Sequence, residues 1–231
     1  KYDAERTMTD VIVNSDNVGM SFVGQKMGAD SLYESLDKFG FGRQTGVDLQ
    51  GEVSMKLREK GTWSTVDLAT TTFGQGIAIT PMQMISGASI IANGGYQVQP
   101  YVVKKLIGED WEEETKPKIG NKILSNQAVS DIKAMMVEAV SHGESKWTYL
   151  KGFSVAGKTG TAQVAISGHY DEEKTNASFI AFSPADKPKF IMLVMLKEPQ
   201  SSQWASETAA PLWYSIAKDL RSEERRVGKE C

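Results

Sequence analysis

One cysteine in 231 residues excludes a disulfide framework and a thiolate-bound metal. Histidine is almost as scarce. His142 and His169 both stand in polar, loop-like sequence, which argues against a zinc site or a Ser-His-Asp triad. No metal or other cofactor is therefore expected. Neither charge sign dominates: 26 basic against 29 acidic residues give a net charge of −3. The basic residues are scattered, so no nucleic-acid partner is expected. No apolar run reaches the roughly 18–20 residues that a membrane span needs. The chain opens on Lys1 without an initiator Met, and an upstream part carrying an anchor or leader is expected.

What is present is ordinary globular sequence, 40% hydrophobic and 24% charged, long enough for one large domain or two small ones. Apolar spacing predicts helices ending at Val13 and over Val18–Met27, Asp30–Phe39 and Val66–Phe73. Gly40 to Thr65 reads as a long loop. Thr80-Pro81 is a strong helix start, and the helix it opens stops at Asn93-Gly94-Gly95. Tyr96–Ile107 is β-rich, Trp111–Glu114 reads as a hairpin tip or loop, and Asn126–Val140 carries one apolar stripe.

After Gly152 the texture changes to strands, at Val155–Ile166, Ala177–Phe182 and Phe190–Leu196. The links at His169–Glu173 and Pro184–Pro188 have no helical pattern, so the strands are consecutive and antiparallel. A last helix over Ser206–Leu220 covers one sheet face. Helices first and a sheet later give an α+β fold. Arg221 to Cys231, R-S-E-E-R-R-V-G-K-E-C, is charged and aperiodic. It resembles the translation of a sequencing-adapter read-through, and residues 221–231 are expected to be a non-native tail.

The chemistry turns on G-F-S-V-A-G-K-T-G-T-A-Q, Gly152 to Gln163. From Gly152 to Thr159 it matches the phosphate-loop pattern G-x-x-x-x-G-K-[ST], which would make a nucleotide-binding domain. That loop needs a buried strand before it and a helix after it. Ser145–Lys151 is too polar for the strand, and Gly160–Ala165 is strand-like rather than helical. From Lys158 onward the stretch is instead the K-T-G element of serine acyl-transferases that handle penicillin-like substrates. Its companion S-x-N loop is present as Ser15-Asp16-Asn17, between two helices and in the required order. The residues alone leave a transpeptidase, a β-lactam-sensing receptor and a serine β-lactamase open.

Taken together, Ser15 to Lys26, Phe39–Gly42, Gly46–Leu49, Phe73–Met84 (F-G-Q-G-I-A-I-T-P-M-Q-M), Gly157–Gln163 and Ser183–Pro188 resemble class B penicillin-binding proteins, the cell-wall D,D-transpeptidases. The resemblance covers essentially Asn14 to Leu220, so residues 1–220 are expected to be a partial transpeptidase domain. It implies a penicillin-binding transpeptidase/β-lactamase-like fold, a helical subdomain plus an antiparallel sheet, with the N-terminal strands missing and an unpaired edge on Phe190–Leu196. It implies that Ser15 relays a proton to the leaving amine, and that Asn17 holds the substrate amide and braces the catalytic lysine. Lys158, Thr159 and Thr161 would hold the terminal carboxylate of a D-Ala-D-Ala stem peptide. Gly160 would permit close backbone approach, the Thr161 N–H would serve an oxyanion hole, and Gln163 would line the substrate site. Implied partners are peptidoglycan stem peptides, β-lactams and a glycosyltransferase of the divisome or elongasome. The implied location is the extracytoplasmic face of the bacterial cell membrane.

The family's S-x-x-K nucleophile would precede Ser15. Three S-x-x-K strings occur later, at Ser35–Lys38, Ser130–Lys133 and Ser215–Lys218. Each sits in a helix already explained by its amphipathic stripe, so the nucleophile is expected outside these residues and the chain alone is expected to be inactive.

Overall fold

A computed structural model describes residues 5–148, 152–166 and 169–227. They divide into two compact units, one of Lys1–Asp16 with Lys133–Cys231 and one of Asn17–Ile132. The end of the expected tail, residues 228–231, lies outside the described residues.

The first unit is built on a three-stranded antiparallel sheet. Its strands are labelled by their place in the whole chain: β5 (Ala156–Ile166), β6 (His169–Ser183) and β7 (Phe190–Lys197), in spatial order β5-β6-β7. Register aligns Thr159 with Phe179 and Phe179 with Val194, so one face collects Ala177, Phe179, Ala181 and Val194. A one-residue slip would turn that apolar set outward, which fixes the register. Helix α7 (Ala209–Val227) closes the face. Its Ala209, Ala210 and Ala217 are wholly buried and let the backbone come close, while Trp213 fills the space between. The indole meets Phe179 edge-on at 5.6 Å and stacks with Phe190 at 5.9 Å. Its Nε1–H donates to the Met192 carbonyl at 3.0 Å, so no polar atom of the ring is stranded.

Two expectations for this unit change. His169–Glu173 is not a link but the start of β6, paired with the end of β5 through Ile166↔His169 and Ala165↔Tyr170. Backbone ladders do not depend on side-chain polarity, and a bulge after Gln163 carries the pairing on. Helix α7 starts at Ala209 rather than Ser206, with Pro211 in its first turn, and runs past Leu220 to Val227. The expected edge of Phe190–Leu196 is present among the described residues, since β7 pairs with β6 alone.

The second unit holds α2 (Asn17–Met27), α3 (Ala29–Lys38), α4 (Thr65–Thr72) and α5 (Pro81–Ala92), following α1 (Met8–Val13) of the first unit. Ser64 and Thr80 each make a capping box, with Asp67 and Gln83, as the Thr80-Pro81 start requires. Two small antiparallel sheets follow: β1 (Tyr96–Val98) with β4 (Ile119–Lys122), and the hairpin of β2 (Lys105–Ile107) with β3 (Glu112–Glu114). The acidic run is thus one arm of a hairpin, backed by a Lys105–Glu112 ion pair, rather than only its tip. Strand β4 has no sequence signal because all four of its residues are exposed. The long segment between α3 and α4 lacks helix and strand but is held. The Glu52 carboxylate accepts from Thr45 N and Gly46 N, and buried Gln83 donates to the Arg43 and Met55 carbonyls. Helix α6 (Asn126–His142) leads from the second unit into the first.

Trp213→Ala removes the centre of the sheet–helix contact. It is expected to cost about 3–5 kcal/mol in urea unfolding; a loss under about 1 kcal/mol would contradict the packing described.

Candidate active site

The site lies within the first unit, where α1 ends, α6 ends and β5 begins. Thr7 caps α1 in a capping box with Asp10, and the helix stops at Asn14. Ser15 then takes a left-handed backbone, φ 50°, which only one other non-glycine residue among those described shares. Such a conformation costs on the order of 1 kcal/mol and persists only where the surroundings enforce it. The Asp16 N–H donates back to the Val11 carbonyl at 2.9 Å, and Arg6 holds the Asp16 carboxylate at 3.2 Å. The turn is pinned through Asp16, the residue after Ser15.

Lys158 is the third residue of β5, on the sheet face opposite Thr159. Its Nζ donates to the Ser15 Oγ, to the Thr159 carbonyl at 3.1 Å and to the Thr159 Oγ1 at 3.3 Å. Burial pushes the Lys158 ammonium below the ordinary lysine range, and the Glu144 carboxylate pulls the other way. Thr159 is buried, and its hydroxyl donates to the Glu144 Oε2 at 2.8 Å. A continuous chain of polar groups thus runs Ser15–Lys158–Thr159–Glu144. An ammonium against the Ser15 oxygen fills its acceptor site, leaving the hydroxyl proton to point elsewhere, as a donor or relay needs.

The Thr161 Oγ1 accepts the Ala205 N–H at 3.2 Å, on the α7 side of the sheet. Gly160 faces Ser178: a Cβ there would sit 2.8 Å from the Ser178 Oγ. Gln163 is exposed beside the bulge. Asn17 opens α2 in the second unit and is exposed, its carbonyl accepting the Ser21 hydroxyl at 2.8 Å. His142 ends α6 rather than lying in a loop, and pairs with Glu138 one turn back at 2.9 Å. The S-x-x-K strings all fall within helices, with Ser130 and Ser215 exposed and Ser35 bonded to its own helix at Ser31.

Glu144 was not legible in the sequence. It sits in the polar turn S-H-G-E-S, which matches no motif. What places it is Gly143, where a Cβ would fall 2.4 Å from the Ala139 carbonyl and 2.7 Å from that of Val13. Only glycine lets this turn lie against the end of α1, two residues before Ser15. The phosphate-loop match fails in the structure, because Lys158 to Ile166 is strand and no helix follows Thr159.

Because folding lowers the Lys158 pKa, the cost of burying its ammonium is complete below the folded-state value. It is relieved as pH rises from there toward the ordinary lysine value. Lys158→Met is therefore expected to be at least as stable as wild type near neutral pH, and to lack the stability rise that wild type shows through the alkaline window. Urea unfolding across pH checks both; parallel pH profiles for the two proteins would contradict the assignment.

The profile of the penicillin-binding protein transpeptidase domain matches residues 1–219. Stage V sporulation protein D of Bacillus subtilis is 34% identical over 222 residues, covering 94% of this chain and 34% of that protein. The peptidoglycan D,D-transpeptidase FtsI of Escherichia coli is 30% identical, over 92% of this chain and 35% of its own length. Crystalline penicillin-binding protein 3 of Mycobacterium tuberculosis, complexed with aztreonam, superposes with a TM-score of 0.87 at 30% identity. The match covers 97% of this chain and 54% of that one. The chain thus spans about a third of the curated relatives' length. On its matching profile, its relatives and its fold, this chain belongs to the transpeptidase-domain family of class B penicillin-binding proteins.

Proposed function

We propose that this chain supplies one wall of a peptidoglycan D,D-transpeptidase site within a longer protein. The reading is supported above all by the Ser15–Lys158–Thr159 contact, which joins the two motifs that sequence alone left 143 positions apart. The acyl donor is a stem peptide ending in D-Ala-D-Ala. A serine outside these residues attacks the carbonyl of the penultimate D-Ala and expels the terminal D-Ala as its amine. An amine of a second stem then attacks the ester, forming the cross-link and returning the serine.

In this reading Ser15 passes the proton to the leaving amine and Asn17 holds the substrate amide. Lys158, Thr159 and Thr161 receive the terminal carboxylate through charge-assisted hydrogen bonds. Thr161 N–H stabilises the oxyanion, Gly160 admits the substrate backbone, and Gln163 lines the approach. β-Lactams acylate the same serine. The longer protein works on the outer face of the cytoplasmic membrane beside a glycosyltransferase. Residues 1–220 carry the function, and the last eleven residues take no part.

Fluorescent penicillin tests the reading on the longer protein. Wild type is expected to form a persistent covalent adduct. Lys158→Ala and Ser15→Ala are each expected to slow labelling by about 100-fold, the scale of losing one stabilising group in serine acyl transfer. Labelling of Lys158→Ala at the wild-type rate would overturn it.

A further inference from the structure

Glu144 plays no part in the roles just assigned, yet it holds the proton they require. Thr159 has one hydroxyl hydrogen, and the structure gives it to the Glu144 Oε2 at 2.8 Å. The lone pairs on the Thr159 Oγ1 itself face the Lys158 ammonium at 3.3 Å. A ligand carboxylate bound at Lys158 and Thr159 needs the same hydrogen and the same cation. The resting site therefore already contains a carboxylate, donated by the protein itself.

The placement of Glu144 suits something that can let go. Gly143 and Ser145 on either side are buried and anchor the turn, whereas Glu144 itself is exposed. Its side chain can swing into water without moving the backbone that Gly143 fixes against α1. The other acid near this corner, Asp16, is committed to Arg6.

We infer that Glu144 is a specificity-determining residue of this site: an internal carboxylate latch on the Thr159 hydroxyl that an incoming anionic ligand must displace. The inference rests on the reading that ligand carboxylates bind at Lys158 and Thr159. Its consequence is that Glu144 weakens anionic ligands relative to neutral ones of the same shape. Two carboxylates competing for one hydroxyl repel at short range, where like charges are costly. Glu144→Gln removes the charge while keeping an oxygen that can accept from Thr159.

The test titrates the 231-residue chain with N-acetyl-D-alanyl-D-alanine and with its neutral C-terminal amide, following the Thr159 and Gly160 backbone signals by NMR. Glu144→Gln is expected to bind the carboxylate form about tenfold more tightly than wild type near neutral pH. Binding of the amide should be unchanged. Glu144→Ala should give the same selective gain if the Gln variant folds poorly, with thermal melting reporting the fold of each. If the carboxylate binds wild type and both variants equally, the latch is wrong and the carboxylate site stands. If both ligands tighten together, Glu144 acts on site shape rather than charge and the inference fails. If the carboxylate form binds none of the three proteins, the underlying reading of the site falls and the latch with it.

Discussion

The site depends on keeping one ammonium, that of Lys158, partly out of water. An amine so placed is worth less protonated than in solvent, and the surrounding structure answers with oxygens: the Ser15 hydroxyl, the Thr159 carbonyl and hydroxyl, and the carboxylate of Glu144 behind them. Each of these has a separate structural reason for being where it is. Ser15 is held in a left-handed turn, Thr159 is fixed by the register of β5 against β6, and Glu144 hangs from a turn that only Gly143 allows. Three elements distant in sequence therefore meet at a single charge, which makes the arrangement sensitive to loss of any one of them.

The sheet gives this meeting its rigidity. Phe179 stands opposite Thr159 in the register and is wholly buried under Trp213 and Tyr214. Packing at this density resists displacement, because moving the strand would open a cavity beneath α7. The pleat thus puts Thr159 and Thr161 on the α7 side of β5 and Lys158 on the other. The same pleat explains the division of labour within K-T-G-T, with Thr161 tied to the Ala205 N–H on the α7 side.

Much of this is legible in the sequence. The helix boundary at Thr80-Pro81 follows from capping chemistry confined to four residues. The three antiparallel strands follow from their strand-like texture and from the lack of a helical pattern between them. The K-T-G and S-x-N elements are local strings, and their order along the chain sufficed to pair them. The phosphate-loop match is also local, and it fails because the flanking residues favour strand over helix. What escaped was non-local. Nothing in S-H-G-E-S announces that Glu144 will reach Thr159, because the cause is a close approach of Gly143 to the Val13 carbonyl 130 positions earlier. Strand β4 escaped because exposed two-stranded sheets carry no buried face to impose alternation. The first residues of β6 escaped because ladder hydrogen bonds ignore side-chain polarity.

The claim that Lys158 and Thr159 form the anion-holding wall is tested most directly by a crystal structure of the protein with a bound penicillin. The account predicts the antibiotic's carboxylate within hydrogen-bonding distance of the Thr159 Oγ1, with the Glu144 side chain turned away. A carboxylate bound elsewhere, with the Thr159–Glu144 hydrogen bond intact, would contradict it.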